Sequence, residues 1–154
     1  MNIGILDKPY NFLTQPFAAK MVILLGLLWR WTGYNMVFFL SGLQNIEYSV
    51  YEAAKIDGAS AIQTFFKITV PLLKPTILLT AIMSTNGTLQ LFDESVNLTD
   101  GGPANASISM SHYIYNLCFK YVPNFGYAAA MSFFILLLVA VLAFIQMRVG
   151  DKRD

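Results

Sequence analysis

The residues able to do chemistry are few, and their spacing excludes most of it. One histidine, His112, and one cysteine, Cys118, leave no internal disulfide and no set of ligands for a metal ion. Asp93 and Glu94 are adjacent, so on a helix their carboxylates point in different directions and do not act as an acid/base pair. No G-x-x-x-x-G-K-S/T phosphate loop occurs, so the chain does not itself hydrolyse a nucleoside triphosphate. The chain reads as non-enzymatic, with no cofactor of its own, and His112 reads as an ordinary surface residue of a loop. Hydrogen-bonding chemistry remains. Asn86 and Gln90 lie four apart and Asp93 three further on, which predicts one helical stripe, with the Phe92 ring beside it.

Those side chains end a charge-free run, Pro75 to Phe92, that also holds Thr80, Ser84, Thr85 and Thr88. Of 154 residues, 56% are hydrophobic and only 12% charged, and the mean hydropathy is +0.54. A soluble domain carries about 25% charged residues for its polar skin, so a soluble enzyme and a disordered chain are both excluded. A net charge of +1 argues against a nucleic-acid partner, which demands a basic surplus. The composition is that of an integral membrane protein, with lipid as its surroundings. Polar side chains in such a run turn inward, either to a path for solute or to a partner helix as glue. The residues alone leave both readings open.

Crossing a ~30 Å hydrocarbon core takes about 20 apolar residues as a helix. Three runs meet that length, at about 18–43, 72–92 and 125–147, the first with Lys20 at its outer edge and broken inside by Arg30. None alternates in the way a transmembrane β-strand does. The expected fold is an all-α polytopic membrane protein with three transmembrane helices. Lys55, Lys67 and Lys74 between the first two spans, with Arg148, Lys152 and Arg153 after the third, outnumber Lys8, Lys20 and Lys120 on the other side. This bias predicts a cytoplasmic loop at about 47–71, a cytoplasmic C-terminus and an external loop at about 94–122. The N-terminus is then outside, yet residues 1–17 show no signal-peptide pattern. Two readings follow: a fragment whose earlier spans are missing, or an N-terminus carried across by the first span. Arg30, between Trp29 and Trp31, reads either as a snorkelling arginine or as an intramembrane charge paired with a carboxylate such as Asp93.

The 47–71 loop is the most specific stretch. Ser49 with Glu52 fits a capping box that starts a helix through Ala53, Ala54 and Lys55. Gly58 is placed to end it in a left-handed conformation. Ser60 with Gln63 fits a second capping box, opening a helix through Phe65, Phe66 and Ile68. The expectation is a helix–turn–helix whose small residues allow close approach of another surface. The blander reading, in which Glu52 caps its own helix and Gly58 only turns the chain, stays open on spacing alone.

Glu52-Ala53-Ala54, three residues, Gly58, nine residues, then Ile68-Thr69-Val70-Pro71 resembles the EAA loop of permease subunits of ATP-binding-cassette (ABC) importers, EAA-x3-G-x9-I-x-L-P. Val70 stands where leucine is usual. Leu40–Ile46, Gly101-Gly102-Pro103-Ala104-Asn105-Ala106 and Phe125–Ala130 resemble the carbohydrate-uptake branch, with Asp100 where that branch usually has a further glycine. The resemblance covers nearly the whole chain but only about the C-terminal half of the family's membrane domain.

That resemblance implies a bacterial inner-membrane permease of an ATP-driven sugar importer. It implies a second permease subunit, two ATPase subunits that hydrolyse ATP, and an extracytoplasmic solute-binding protein as partners. Glu52, Ala53, Ala54 and Gly58 would form the coupling helix, with Ile68 and Pro71 at its membrane-side exit. A bulky residue at Gly58 is expected to meet both a steric and a conformational penalty. Asn86, Gln90, Phe92 and Asp93 become candidate path residues, because amides and a carboxylate suit sugar hydroxyls and a ring covers an apolar sugar face. The competing readings are a permease for another solute such as a sugar phosphate or polyamine, and a truncated, non-functional permease. A membrane-anchor subunit of a respiratory complex would need haem- or quinone-binding histidines inside its spans, and there are none.

Overall fold

Three stretches of the chain carry little charge and are rich in apolar residues, and long helices form on two of them. In the computed structural model, which describes residues 12–150, α1 spans Pro16–Gln44 and α6 spans Phe125–Gly150. Both are long and apolar enough to cross a membrane. Between them lie α2 (Tyr48–Ile56), α3 (Ala61–Leu72), α4 (Lys74–Leu89) and the short α5 (Met110–Tyr115). Among the described residues there are helices and turns and no strand, as an all-α membrane chain requires. The N-terminal run without a signal-peptide pattern lies mostly outside the described residues, as do Lys8, Lys152 and Arg153.

The run at about 72–92 folds differently. Helix α4 has 16 residues, or about 24 Å at 1.5 Å per residue, and α3 meets it at a 64° bend. The bend follows from proline chemistry: Pro75 has no N–H to give, and its ring crowds the carbonyl four residues back. Leu73, at the corner, is buried, its own N–H bonded to the Thr69 carbonyl at 2.9 Å. Gly42 of α1 lies against this corner, where a Cβ would stand 2.8 Å from both the Leu73 and Thr76 side chains.

The chain divides into two compact units. The first comprises residues 12–29 and 88–136, the second 30–87 and 137–150. In the second unit the helices are tied by polar contacts. Asn35 bonds Ser84, and Gln146 Nε2 donates to Thr85 Oγ1 at 2.8 Å. Gly87 faces the Trp31 ring so closely that any Cβ would overlap it. The Arg30 guanidinium carbon sits 5.4 Å from the Trp31 ring centroid, a cation–π contact on an otherwise exposed side chain. In the first unit the buried apolar residues are Ala19, Ile23, Leu117, Ala128 and Ile135. Here α6 opens on Asn124, whose side chain accepts the Tyr127 N–H at 3.1 Å, after Pro123 has ended the preceding segment. Phe133, Phe134, Leu136, Leu137 and Val141 of α6 are all exposed, the composition of a surface solvated by lipid.

Candidate functional site

The α2–α3 turn is built almost entirely from local bonds. The Gly58 N–H bonds the Lys55 carbonyl at 3.1 Å and the Ala59 N–H bonds the Ala54 carbonyl at 3.0 Å, the paired pattern of a Schellman C-cap. It requires a left-handed residue, and Gly58 has φ +76°. Two residues on, Ser60 Oγ accepts the Gln63 N–H at 3.3 Å while Gln63 Oε1 accepts the Ser60 N–H at 2.8 Å. The second capping box is therefore formed as the spacing predicts. The first is not. Helix α2 starts at Tyr48 with Glu47 flanking it, and no side chain caps its N-terminus. Ser49, already inside the helix, donates instead to Glu47 Oε2 at 3.2 Å.

The turn is anchored beneath by residues that spacing did not single out. Ala54 is buried, and Tyr51, one turn before it on the same face, shares a 3.2 Å hydrogen bond between its hydroxyl and Thr69 Oγ1. Thr69 closes a wide π-helical turn, Phe65–Thr69, within α3. The i, i+3 relation of Tyr51 to Ala54 was the available signal for this inner face. On the outer side, Glu52, Ala53, Lys55, Asp57 and Gly58 are exposed. So are two large apolar side chains, Ile56 at 85% and Ile62 at 72%. Ile68 is half-buried and Pro71 exposed. A Cβ on Gly58 would meet nothing within 4 Å, so the expected steric penalty is absent inside the chain and only the conformational one remains.

The predicted polar stripe does not hold together. Helix α4 ends at Leu89, so Asn86 lies inside it, Gln90 begins the turn, and Leu91 and Phe92 are non-helical before Asp93 starts a new short segment. Asp93 is thus off the stripe that the spacing predicts. Asn86, Gln90 and Asp93 are exposed, while the Phe92 ring packs edge-on against Tyr115 at 5.3 Å and His112 at 6.2 Å. Gln90 lines a cavity of about 330 Å³ with Ser111, Ile114, Ser132, Ile135 and Leu136. An amide, two hydroxyls and an apolar wall form a lining suited to a polyhydroxylated ring.

His112 overturns the surface reading. It is fully buried, with Nδ1 2.9 Å from the equally buried Ser95 Oγ. Burial pushes its pKa below the ordinary 6.5, with Lys120 adding to the depression and Asp100 opposing it. Asp100, hydrogen-bonded by Lys120 at 2.7 Å, is held below the usual carboxylate range, and Lys120 is raised by the same bond.

Over residues 5–153 the chain matches the model of the family described as "Binding-protein-dependent transport system inner membrane component". It is 54% identical over 153 residues to the lactose transport system permease protein LacF of Rhizobium radiobacter, covering 98% of this chain and 51% of that protein. It is also similar to a chain in the crystal structure of a bacterial ABC transporter that imports the acidic polysaccharide alginate. There the TM-score is 0.80 at 23% identity, over 96% of this chain and 51% of the other, and it speaks for the fold alone. A second structure, a bacterial alginate ABC transporter in complex with an alginate pentasaccharide-bound periplasmic protein, matches at TM-score 0.68 and 25% identity, over 96% and 49%. The chain thus spans about half the length of these relatives. Matched from residue 5 to residue 153, and largely helical among its described residues, the chain belongs to the family of inner membrane components of binding-protein-dependent transport systems.

Proposed function

We infer that the chain is membrane-spanning permease sequence of an ATP-driven sugar importer and that its α2–α3 turn is the EAA coupling element. The spans are those at about 18–43, 72–92 and 125–147, with the turn and the C-terminus cytoplasmic. A second permease subunit encloses the path with it, two ABC ATPase subunits receive the turn, and an extracytoplasmic binding protein delivers the sugar. The naming of LacF as a lactose permease and the sugar-bound alginate complex support carbohydrate as the solute class.

One observation carries this reading. The turn is capped on both sides by its own backbone and by Ser60–Gln63, is pinned below by Tyr51–Thr69, and yet exposes Ile56 and Ile62. A rigid knob with uncovered apolar side chains transmits force and gains by docking, since burying each isoleucine is worth about 1.5–3 kcal/mol. Glu52, Ala53 and Gly58 form its outer surface, Ala54 its seat, and Ile68 and Pro71 its return to the membrane. Among the candidate path residues, Gln90 is the best placed, at the cavity it shares with Ser111 and Ser132. Asn86, Phe92 and Asp93 remain path candidates of lower weight, Phe92 because its ring is already engaged.

A photo-crosslinking residue at Ile56, in the assembled importer, tests the docking. An adduct with the ATPase subunit, lost when Ala53 is replaced by Arg, is the expected result. Labelling of Ile56 only from the external side would overturn it.

A further inference from the structure

The external loop holds a buried titratable group that coupling does not use. Its seat is made by hydroxyls and a tight turn. Ser95 Oγ donates to the Ser107 carbonyl at 2.8 Å and accepts the Ser109 N–H at 3.2 Å. Ser109 Oγ in turn accepts the His112 N–H at 3.1 Å, starting α5. The Ser95 carbonyl accepts the Gly101 N–H at 3.1 Å, and the Gly101 carbonyl accepts the Ser107 N–H at 3.2 Å. Gly101, at φ +78°, is buried close to the His112 ring, where a Cβ would be 3.4 Å from Cε1. Ser107 Oγ also bonds the Gly102 carbonyl. The turn at 100–109 is thus held to the rest of its unit through Ser95, Ser107 and His112.

The proton count at this seat is uneven. A hydroxyl has one proton, and Ser95 gives its own to Ser107, so the imidazole must carry its proton on Nδ1 to bond Ser95 Oγ. Nε2 is then a bare lone pair, buried and without a hydrogen-bond partner, 3.7 Å from Asp100 Oδ1. The charged groups facing the ring are Asp100 from the turn and Lys120 from the segment after α5. The Tyr115 and Tyr121 phenols act on Lys120 rather than on the ring, and Phe92 supplies an uncharged wall.

We propose that His112 is a proton-operated pin: a proton taken from solvent onto Nε2 creates a cation in this sealed seat, draws Asp100 away from Lys120, and releases the 100–109 turn. The sign follows from the buried neutral ring. A histidine that stays neutral when folded supports the loop fully above its ordinary value of 6.5, and that support falls as pH drops through and below it. External acid therefore loosens the turn. The pin itself depends only on the loop, while the side from which acid reaches it rests on the orientation proposed above.

Because His112 is the only histidine, histidine-selective isotope labelling of the full chain, carrying a tag without histidine and held in lipid nanodiscs, gives a single titrating ring. The expected result is an Nδ1–H tautomer at neutral pH with a midpoint below 6.5, moved lower by Asp100→Asn and higher by Lys120→Met. Corrected for intrinsic exchange, protection of the Gly101 and Ser107 amides should fall up to about tenfold per pH unit below 6.5. In Lys120→Met, the fall should still begin near 6.5 but level off at a higher pH, and so be smaller in total. A midpoint at or above 6.5, or amide protection flat across the titration, would overturn the proposal.

Discussion

Asn35 of α1 and Ser84 of α4 exchange two hydrogen bonds: the amide Nδ2 donates to Oγ at 3.1 Å, and Oγ lies 3.2 Å from Oδ1 in position to return one. The next residue, Thr85, accepts from Gln146 of α6 at 2.8 Å, so neighbouring positions on α4 bind two different helices. Thr80 turns its hydroxyl back to the Thr76 carbonyl at 2.9 Å. At these three positions the polar side chains of the charge-free run hold helices and backbone together, which leaves the path to others.

Ser84→Ala should lower the thermal stability of the lipid-embedded chain by about 0.6–2 kcal/mol, because the Asn35 amide loses its partner in an apolar setting. The double variant Asn35→Leu with Ser84→Ala should recover part of this, since no polar group is then stranded. Melting curves of the two single variants and the pair give the coupling directly. Strict additivity would mean the contact contributes nothing.

Gly87→Ala should destabilise by about 1–3 kcal/mol, since its methyl overlaps the Trp31 ring. Trp31→Leu in the same chain should restore most of the loss. The check is the same melting measurement, and an equally unstable double variant would show that the collision is not the cause.

The two serines of the α2–α3 turn should behave differently. Ser60→Ala removes a formed cap and should cost about 1 kcal/mol, seen as faster amide exchange in the first turn of α3. Ser49→Ala should leave α2 almost unchanged, because Ser49 caps nothing.

If Gln90 lines the path, Gln90→Leu should raise the KM for the transported sugar in the reconstituted importer about fivefold to tenfold, the loss of one hydrogen bond of about 1–1.5 kcal/mol. Asp93→Asn should change it less, as Asp93 lies beyond the turn that ends α4. Equal effects would argue that the two residues share one face after all.

Much of the α2–α3 turn was legible because its bonds are local. Gly58 at the end of α2 and the Ser60–Gln63 box depend on residues within five positions of one another, and spacing expresses such bonds directly. Ser49 misled by one residue: the helix starts at Tyr48, which moves the serine inside and turns its hydroxyl to Glu47. The apolar pattern through Leu91 and Phe92 resembles a continued helix. Phe92 instead spends its ring on Tyr115 and His112, a contact across about twenty residues that no local spacing encodes. The burial of His112 escapes local spacing for the same reason, since its seat comes from Ser95 and Gly101, reached only through the turn. The bend before α4 is marked by Pro75, but its 64° size is not a property of local spacing.

The most direct test is a series at Gly58 in the importer reconstituted with its binding protein and ATPase, reading ATP hydrolysis and uptake together. Asparagine tolerates the left-handed conformation but adds bulk to the exposed face, whereas alanine adds little bulk and strains the turn by about 1–2 kcal/mol. Gly58→Asn and Gly58→Val complexes should assemble, yet lose uptake at least tenfold relative to hydrolysis, with Gly58→Ala intermediate. Assembled Gly58→Val importer carrying sugar at the unmodified rate would contradict this.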